Sequence, residues 1–125
     1  MSREEIPPWL REQLVRFEQL QQNLQAILLQ KQQVELELAG IEKAISELKK
    51  IGPDDVVYKS AGPLLIRVKR DSILSELEEK RELANTRVMV LAKQESRVRE
   101  SVRELQMKID EAIRGKTRPS ESQAS

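Results

Sequence analysis

The sequence contains no cysteine and no histidine. This removes disulfides, thiol and imidazole nucleophiles, and the ordinary nitrogen and sulfur ligands of zinc, copper and iron, so no metal site is expected. Because the carboxylates lie beside Lys and Arg at the three or four residue spacing of solvated helix faces, with nothing pairing them in a cleft, no enzyme and no cofactor is expected either. Aromatic residues are scarce, with one Trp, one Tyr and one Phe making up 2% of 125 residues, and there are only 4 glycines. A chain so composed cannot fill the mixed core of a globule, and its core has to be a seam between helices. No stretch approaches the roughly 18 uninterrupted apolar residues of a membrane span, and the first eight residues lack the apolar centre of a signal peptide. A cytoplasmic protein with no membrane contact is the expectation.

An excess of one charge sign is lacking too. With 22 basic against 21 acidic residues the net charge is +1, and Arg97, Arg99 and Arg103 are interleaved with Glu95, Glu100 and Glu104. Such interleaving is the pattern of a solvated helix face, so nucleic acid is not an expected partner. The Gly-rich phosphate loop of the Walker type is also missing, in keeping with action without nucleotide.

Two heptad runs are present. In the first, the a positions are Leu10, Phe17, Leu24, Lys31, Leu38 and Ile45, and the d positions are Gln13, Leu20, Ile27, Val34, Ile41 and Leu48. In the second, a is Leu74, Arg81, Val88, Glu95, Val102 and Ile109, and d is Leu77, Ala84, Leu91, Val98, Leu105 and Ala112. An apolar repeat held for about six heptads is the signature of a coiled coil. Gln13 and Lys31 break the first seam and Arg81 and Glu95 the second. Lys31 and Glu95 do so about halfway along, where either a register-fixing polar layer or a partly exposed ion pair of little energetic effect accounts for them.

Proline at 7 and 8 suits a helix start, and Gly52-Pro53 a stop, so the first helix is predicted over 7–51. From 56 to 68 the period changes to two around a turn at Ala61-Gly62-Pro63, which predicts a β-hairpin. Asp71 or Ser72 can cap a second helix over 72–114, ended by Gly115, with a polar disordered tail over 115–125. The fold class is therefore mainly α: a long antiparallel two-helix coiled coil with one β-hairpin at the bend, in a single domain. Because an isolated two-stranded ribbon is marginal in water, and Val56, Val57, Tyr58, Leu64, Leu65, Ile66 and Val68 place apolar or aromatic groups on both faces, the hairpin is expected to pair with other subunits.

The run Val57-Tyr58-Lys59-Ser60-Ala61-Gly62-Pro63-Leu64-Leu65-Ile66-Arg67-Val68 and the opening Phe17-Glu18-Gln19-Leu20-Gln21-Gln22 resemble the beta subunits of prefoldin, an ATP-independent chaperone. A single hairpin fits beta, since alpha subunits carry two. The resemblance implies a hetero-hexamer of two alpha and four beta subunits joined through hairpin β-barrels. It also implies unfolded polypeptide clients and delivery to a group II chaperonin. Client contact is then expected where antiparallel pairing brings the chain ends together: Ile6, Trp9, Leu10, Leu14, Val15 and Phe17 near the start, and Met107, Ile109 and Ile113 near the end. Trp9, Val15 and Met107 lie off the seam, where a purely structural coiled coil prefers charge. Leu10, Phe17 and Ile109 are seam positions, and ordinary packing accounts for them unless the ends splay. A coiled-coil scaffold or tether fits the periodicity equally well, but it needs neither a two-faced apolar hairpin nor apolar ends.

Overall fold

The computed structural model describes residues 6–117. In chain order they form helix α1 (Pro8–Leu48), strands β1 (Val56–Ala61) and β2 (Leu64–Lys69), and helix α2 (Arg70–Thr117). The chain divides into two compact units, one of residues 30–91 and one combining residues up to Leu29 with those from Ala92 on.

The heptads hold position by position. Every a and d residue of both series is buried or half-buried, while most of the residues between them are exposed. In the unit of residues 30–91 the most buried side chains are Val34, Ile41, Ile45, Ala84 and Leu91. In the other unit Leu10, Leu105 and Ile109 form one cluster, with Ile6, Phe17, Leu20 and Ala112 packed against it. The start of α1 thus lies against the end of α2, which requires antiparallel helices. Among the described residues no buried side chain is polar or charged. Lys31 and Glu95 are half-buried, and Glu95 accepts a hydrogen bond from Arg99 Nε at 2.8 Å, one turn along the same helix.

The helix boundaries differ from those predicted, each for a physical reason. Helix α1 ends at Leu48 rather than at residue 51. Lys50 N bonds Glu47 O and Ile51 N bonds Leu48 O, the tightened closing turn of a helix end. Helix α2 begins at Arg70, directly after β2, so neither Asp71 nor Ser72 is its cap. The Arg70 backbone N–H instead donates to Asp55 O at 3.0 Å, and Asp71 sits in the first turn, where a carboxylate complements the helix dipole. Gly115 does not end α2, which continues to Thr117. A glycine terminates a helix by turning left-handed, and the one glycine with positive φ among the described residues is Gly62. The part of the expected tail beyond Thr117 lies outside the described residues.

The hairpin is tight. Pairing runs from Val56↔Lys69 to Ala61↔Leu64, so Ala61 belongs to the strand and the loop is Gly62-Pro63 alone. Gly62 has φ 58° and the proline ring holds the next φ negative, the combination of a type II′ turn that matches the twist of the flanking strands.

Gly40 lies exposed inside α1, and a Cβ built there meets nothing within 4 Å. Gly40→Ala should therefore stabilise the chain by about 0.5–1 kcal/mol, since alanine fits the helix and restricts the unfolded chain. A denaturant midpoint that shifts upward at constant slope checks this.

Candidate assembly and client surfaces

Two groups of exposed apolar side chains stand out, one in each unit. The first is the hairpin. Cross-strand partners share a face, so Val57 and Val68, Lys59 and Ile66, Ala61 and Leu64 lie on one side, and Val56, Tyr58, Ser60, Leu65 and Arg67 on the other. Along β1 exposure alternates, with Val57, Lys59 and Ala61 half-buried and Val56, Tyr58 and Ser60 exposed. In β2 only Val68 is half-buried. Leu65 is 72% exposed, Tyr58 67% and Leu64 64%, and Ile66 and Val56 are exposed as well. This two-stranded sheet leaves both outer strand edges without a neighbour among the described residues. Apolar groups on both faces and two open edges are what strand-to-strand association buries.

The root of the hairpin is clasped by Arg70. Its mostly buried side chain donates from Nε to Leu48 O at 2.9 Å, a second donor to a carbonyl that also accepts from Ile51 N, and pairs through Nη1 with Asp71 Oδ1 at 2.7 Å. The loop before β1 is closed by Asp55, whose Oδ2 accepts from Gly52 N at 2.7 Å and whose own N donates to Gly52 O. Further out, Lys59 Nζ donates to Glu76 Oε1 at 2.7 Å, joining β1 to α2. That hydrogen bond, aided by the positive charges of Lys59 and Lys80 and opposed by partial desolvation, holds the Glu76 carboxyl below its ordinary value of 4.5.

A carboxyl with a lowered folded-state pKa binds fewer protons folded than unfolded. Its stabilising contribution is therefore complete above 4.5 and fades as pH falls from there through the lowered value. The gap in melting temperature between the native chain and Glu76→Gln should accordingly narrow on acidification through that range. A gap that stays constant would contradict the assignment.

The second group is at the start of α1 and the end of α2. Pro7 O accepts from Leu10 N and Arg11 N, both at 3.0 Å, and Pro8, the first helical residue, has no N–H to leave unsatisfied. Arg11 Nη2 donates to Ile6 O at 3.3 Å. Trp9 is 53% exposed, Val15 55% and Met107 62%, with Leu14 and Ile113 less so. An open groove of about 730 Å³ runs beside Pro7, Trp9, Leu10 and Ala112, with Lys108 and Glu111 at its sides.

The residues expected to touch clients thus separate into two sets. Trp9, Leu14, Val15, Met107 and Ile113 are exposed. Leu10 and Ile109, at 3% and 5% exposure, are core, and Ile6 and Phe17 pack half-buried against them. The seam spacing explains the difference, because a and d side chains point at the partner helix. Along α2, Leu83 and Met89 line a shallow groove with Glu79 and Thr86, and Leu29, Leu36 and Val90 are exposed elsewhere. Met89 was not singled out by the heptad analysis. Its signal is a methionine at a b position where the neighbouring repeats carry Glu82 and Ser96. Arg70, Lys59 and Glu76 were likewise not anticipated as a linked set, and the one hint was a lysine at an inward strand position.

Comparison with known proteins points one way. The family model for "Prefoldin subunit" matches residues 11–116. The prefoldin subunit beta of Pyrobaculum islandicum is 44% identical over 109 residues, covering 87% of this chain and 87% of that one. That of Pyrobaculum neutrophilum is 40% identical over 121 residues, covering 97% and 95%. The crystal structure of the prefoldin beta subunit from Thermococcus strain KS-1 superposes with a TM-score of 0.81 at 38% identity, covering 88% of this chain and 96% of that one. Heptads, single hairpin and sequence agree over the same span, and the chain belongs to the prefoldin family of chaperone subunits, on its beta side.

Proposed function

We propose that the chain is the beta subunit of an ATP-independent holdase, which captures non-native polypeptide on the apolar ends of its helices and keeps it from aggregating. Its hairpin would assemble with alpha partners, two alpha to four beta, through intersubunit β-barrels, and the captured chain would pass to a group II chaperonin. The observation that carries the reading is the placement of exposed apolar groups. They gather off the seam at the helix ends, around Trp9, Val15 and Met107, and on both faces of the hairpin, around Tyr58, Leu64 and Leu65. A surface that takes unrelated sequences needs apolar, adaptable side chains presented in several copies, so that weak contacts add. An exposed Trp9 beside an open groove and an exposed Met107 on α2 supply the first requirement, and assembly supplies the second. The alpha-beta composition, the chaperonin and the cytoplasmic setting are carried over from the family as parts of the same proposal.

The test is light scattering of a chemically denatured protein diluted into buffer without ATP, in the presence of this chain assembled with its alpha partner. Scattering should fall as the complex is added. Undiminished aggregation would instead favour a coiled-coil scaffold or tether.

A further inference from the structure

Lys59 occupies an inward position of β1, flanked on the same face by Val57 and Ala61 and opposite Ile66. Glu76 meets its ammonium at 2.7 Å from the second turn of α2, with Lys80 Nζ at 3.7 Å from the same oxygen. Both side chains of the Lys59–Glu76 pair keep more than a third of their surface in water, at 38% and 36%. Such pairs add little to the stability of a fold. Their placement is more informative.

The hairpin is held at its root by backbone continuity and by the Arg70 clasp, close to the first rung, Val56↔Lys69. Lys59 is on the fourth rung, well out along the strand. The backbone and Arg70 ties all lie at the base of the ribbon, and a directional tie further out limits how far the ribbon can tilt about that base. Strand pairing is sensitive to tilt. A rotation of about ten degrees moves the tip of a roughly 20 Å hairpin by about 3 Å, far more than the ~0.5 Å window of an N–H···O bond.

We propose that the Lys59–Glu76 ion pair is a strut that sets the angle at which the hairpin leaves α2, making these two side chains positioning residues for subunit assembly. The proposal rests on the reading of the hairpin as the assembly element. Because each copy in the complex carries the strut, small gains in pre-alignment add across the assembly.

The test mixes the full-length chain with its alpha partner and determines, by native mass and light scattering, the concentration at which half the chains are assembled. Glu76→Gln and Lys59→Gln should each raise it by about threefold to tenfold, with helix content unchanged. Exchanging the charges, Lys59→Glu with Glu76→Lys, should restore it to within about twofold. Lys80→Gln accompanies the exchange, since Lys80 would otherwise repel the relocated lysine, and it is also measured alone. If the single variants assemble like the native chain while Leu65→Asp does not, the strut is wrong and the hairpin reading stands. If Leu65→Asp assembles normally, the hairpin reading itself falls. Impaired single variants that the exchange fails to restore would also overturn the proposal, because the pairing, and not either side chain alone, is what it requires.

Discussion

Leu65→Asp should abolish assembly with an alpha partner while leaving the helices of the chain intact. In the isolated chain Leu65 is 72% exposed and sits on the outward face of the hairpin with Tyr58 and Val56, so an aspartate there meets water and costs the fold only the strand preference of the residue, below about 1 kcal/mol. In an assembly that buries this face the same carboxylate has to be desolvated among apolar neighbours, at several kcal/mol per copy. At about 1.4 kcal/mol per factor of ten, the concentration needed for assembly should rise at least a hundredfold. Size-exclusion chromatography with light scattering reads this directly, and circular dichroism confirms that the helices persist. Leu65→Ile, which keeps volume and apolar character, should assemble normally. An aspartate variant that assembles at the native concentration would exclude this face from the interface.

How much of this architecture can be read from sequence depends on the range of the interactions that make it. The seam is a repeated local pattern, so Lys31 and Glu95 cannot hide it: each is one exception among many apolar a and d positions, and both remain half-buried in register. The hairpin is also local, set by a change of period and by Gly62-Pro63. The junction is different. Arg70 reaches Leu48 and Asp55, and Lys59 reaches Glu76, partners 22, 15 and 17 residues apart. Nothing in their spacing brings them together until the loop geometry is known. The start of α2 follows from the same long-range bonding, since the Arg70 N–H finds Asp55 O in place of the expected cap, whereas α1 closes through its own last turn and Leu48 O takes Arg70 Nε as a second donor. At the chain ends the heptad alone separates Leu10 and Ile109 from Trp9 and Met107, and the two pairs should answer to different measurements.

Replacing Trp9, Val15 and Met107 together by serine should sharply reduce suppression of aggregation without weakening the fold. These side chains are already 53%, 55% and 62% exposed, so their removal empties no cavity and breaks no packing on which the seam depends. What is lost is the apolar area offered to a client, on the order of 1 kcal/mol or more for each side chain that becomes buried on capture. In the proposed assembly several helix ends would act on one client, so the loss would multiply, and about tenfold or more additional complex should be needed to halve the scattering of a diluted denatured protein. Leu10→Ala acts through the opposite route. Leu10 is 3% exposed and packs with Leu105 and Ile109, so truncation leaves a cavity at a cost of about 2–5 kcal/mol. Melting temperature should fall for Leu10→Ala and stay level for the serine triple variant. Capture should drop in both, in the first because the ends lose their structure and in the second because they keep it but lose their apolar surface. A triple variant that still suppresses aggregation at the native ratio would remove Trp9, Val15 and Met107 from the client surface and shift attention to the exposed Leu83 and Met89 on α2.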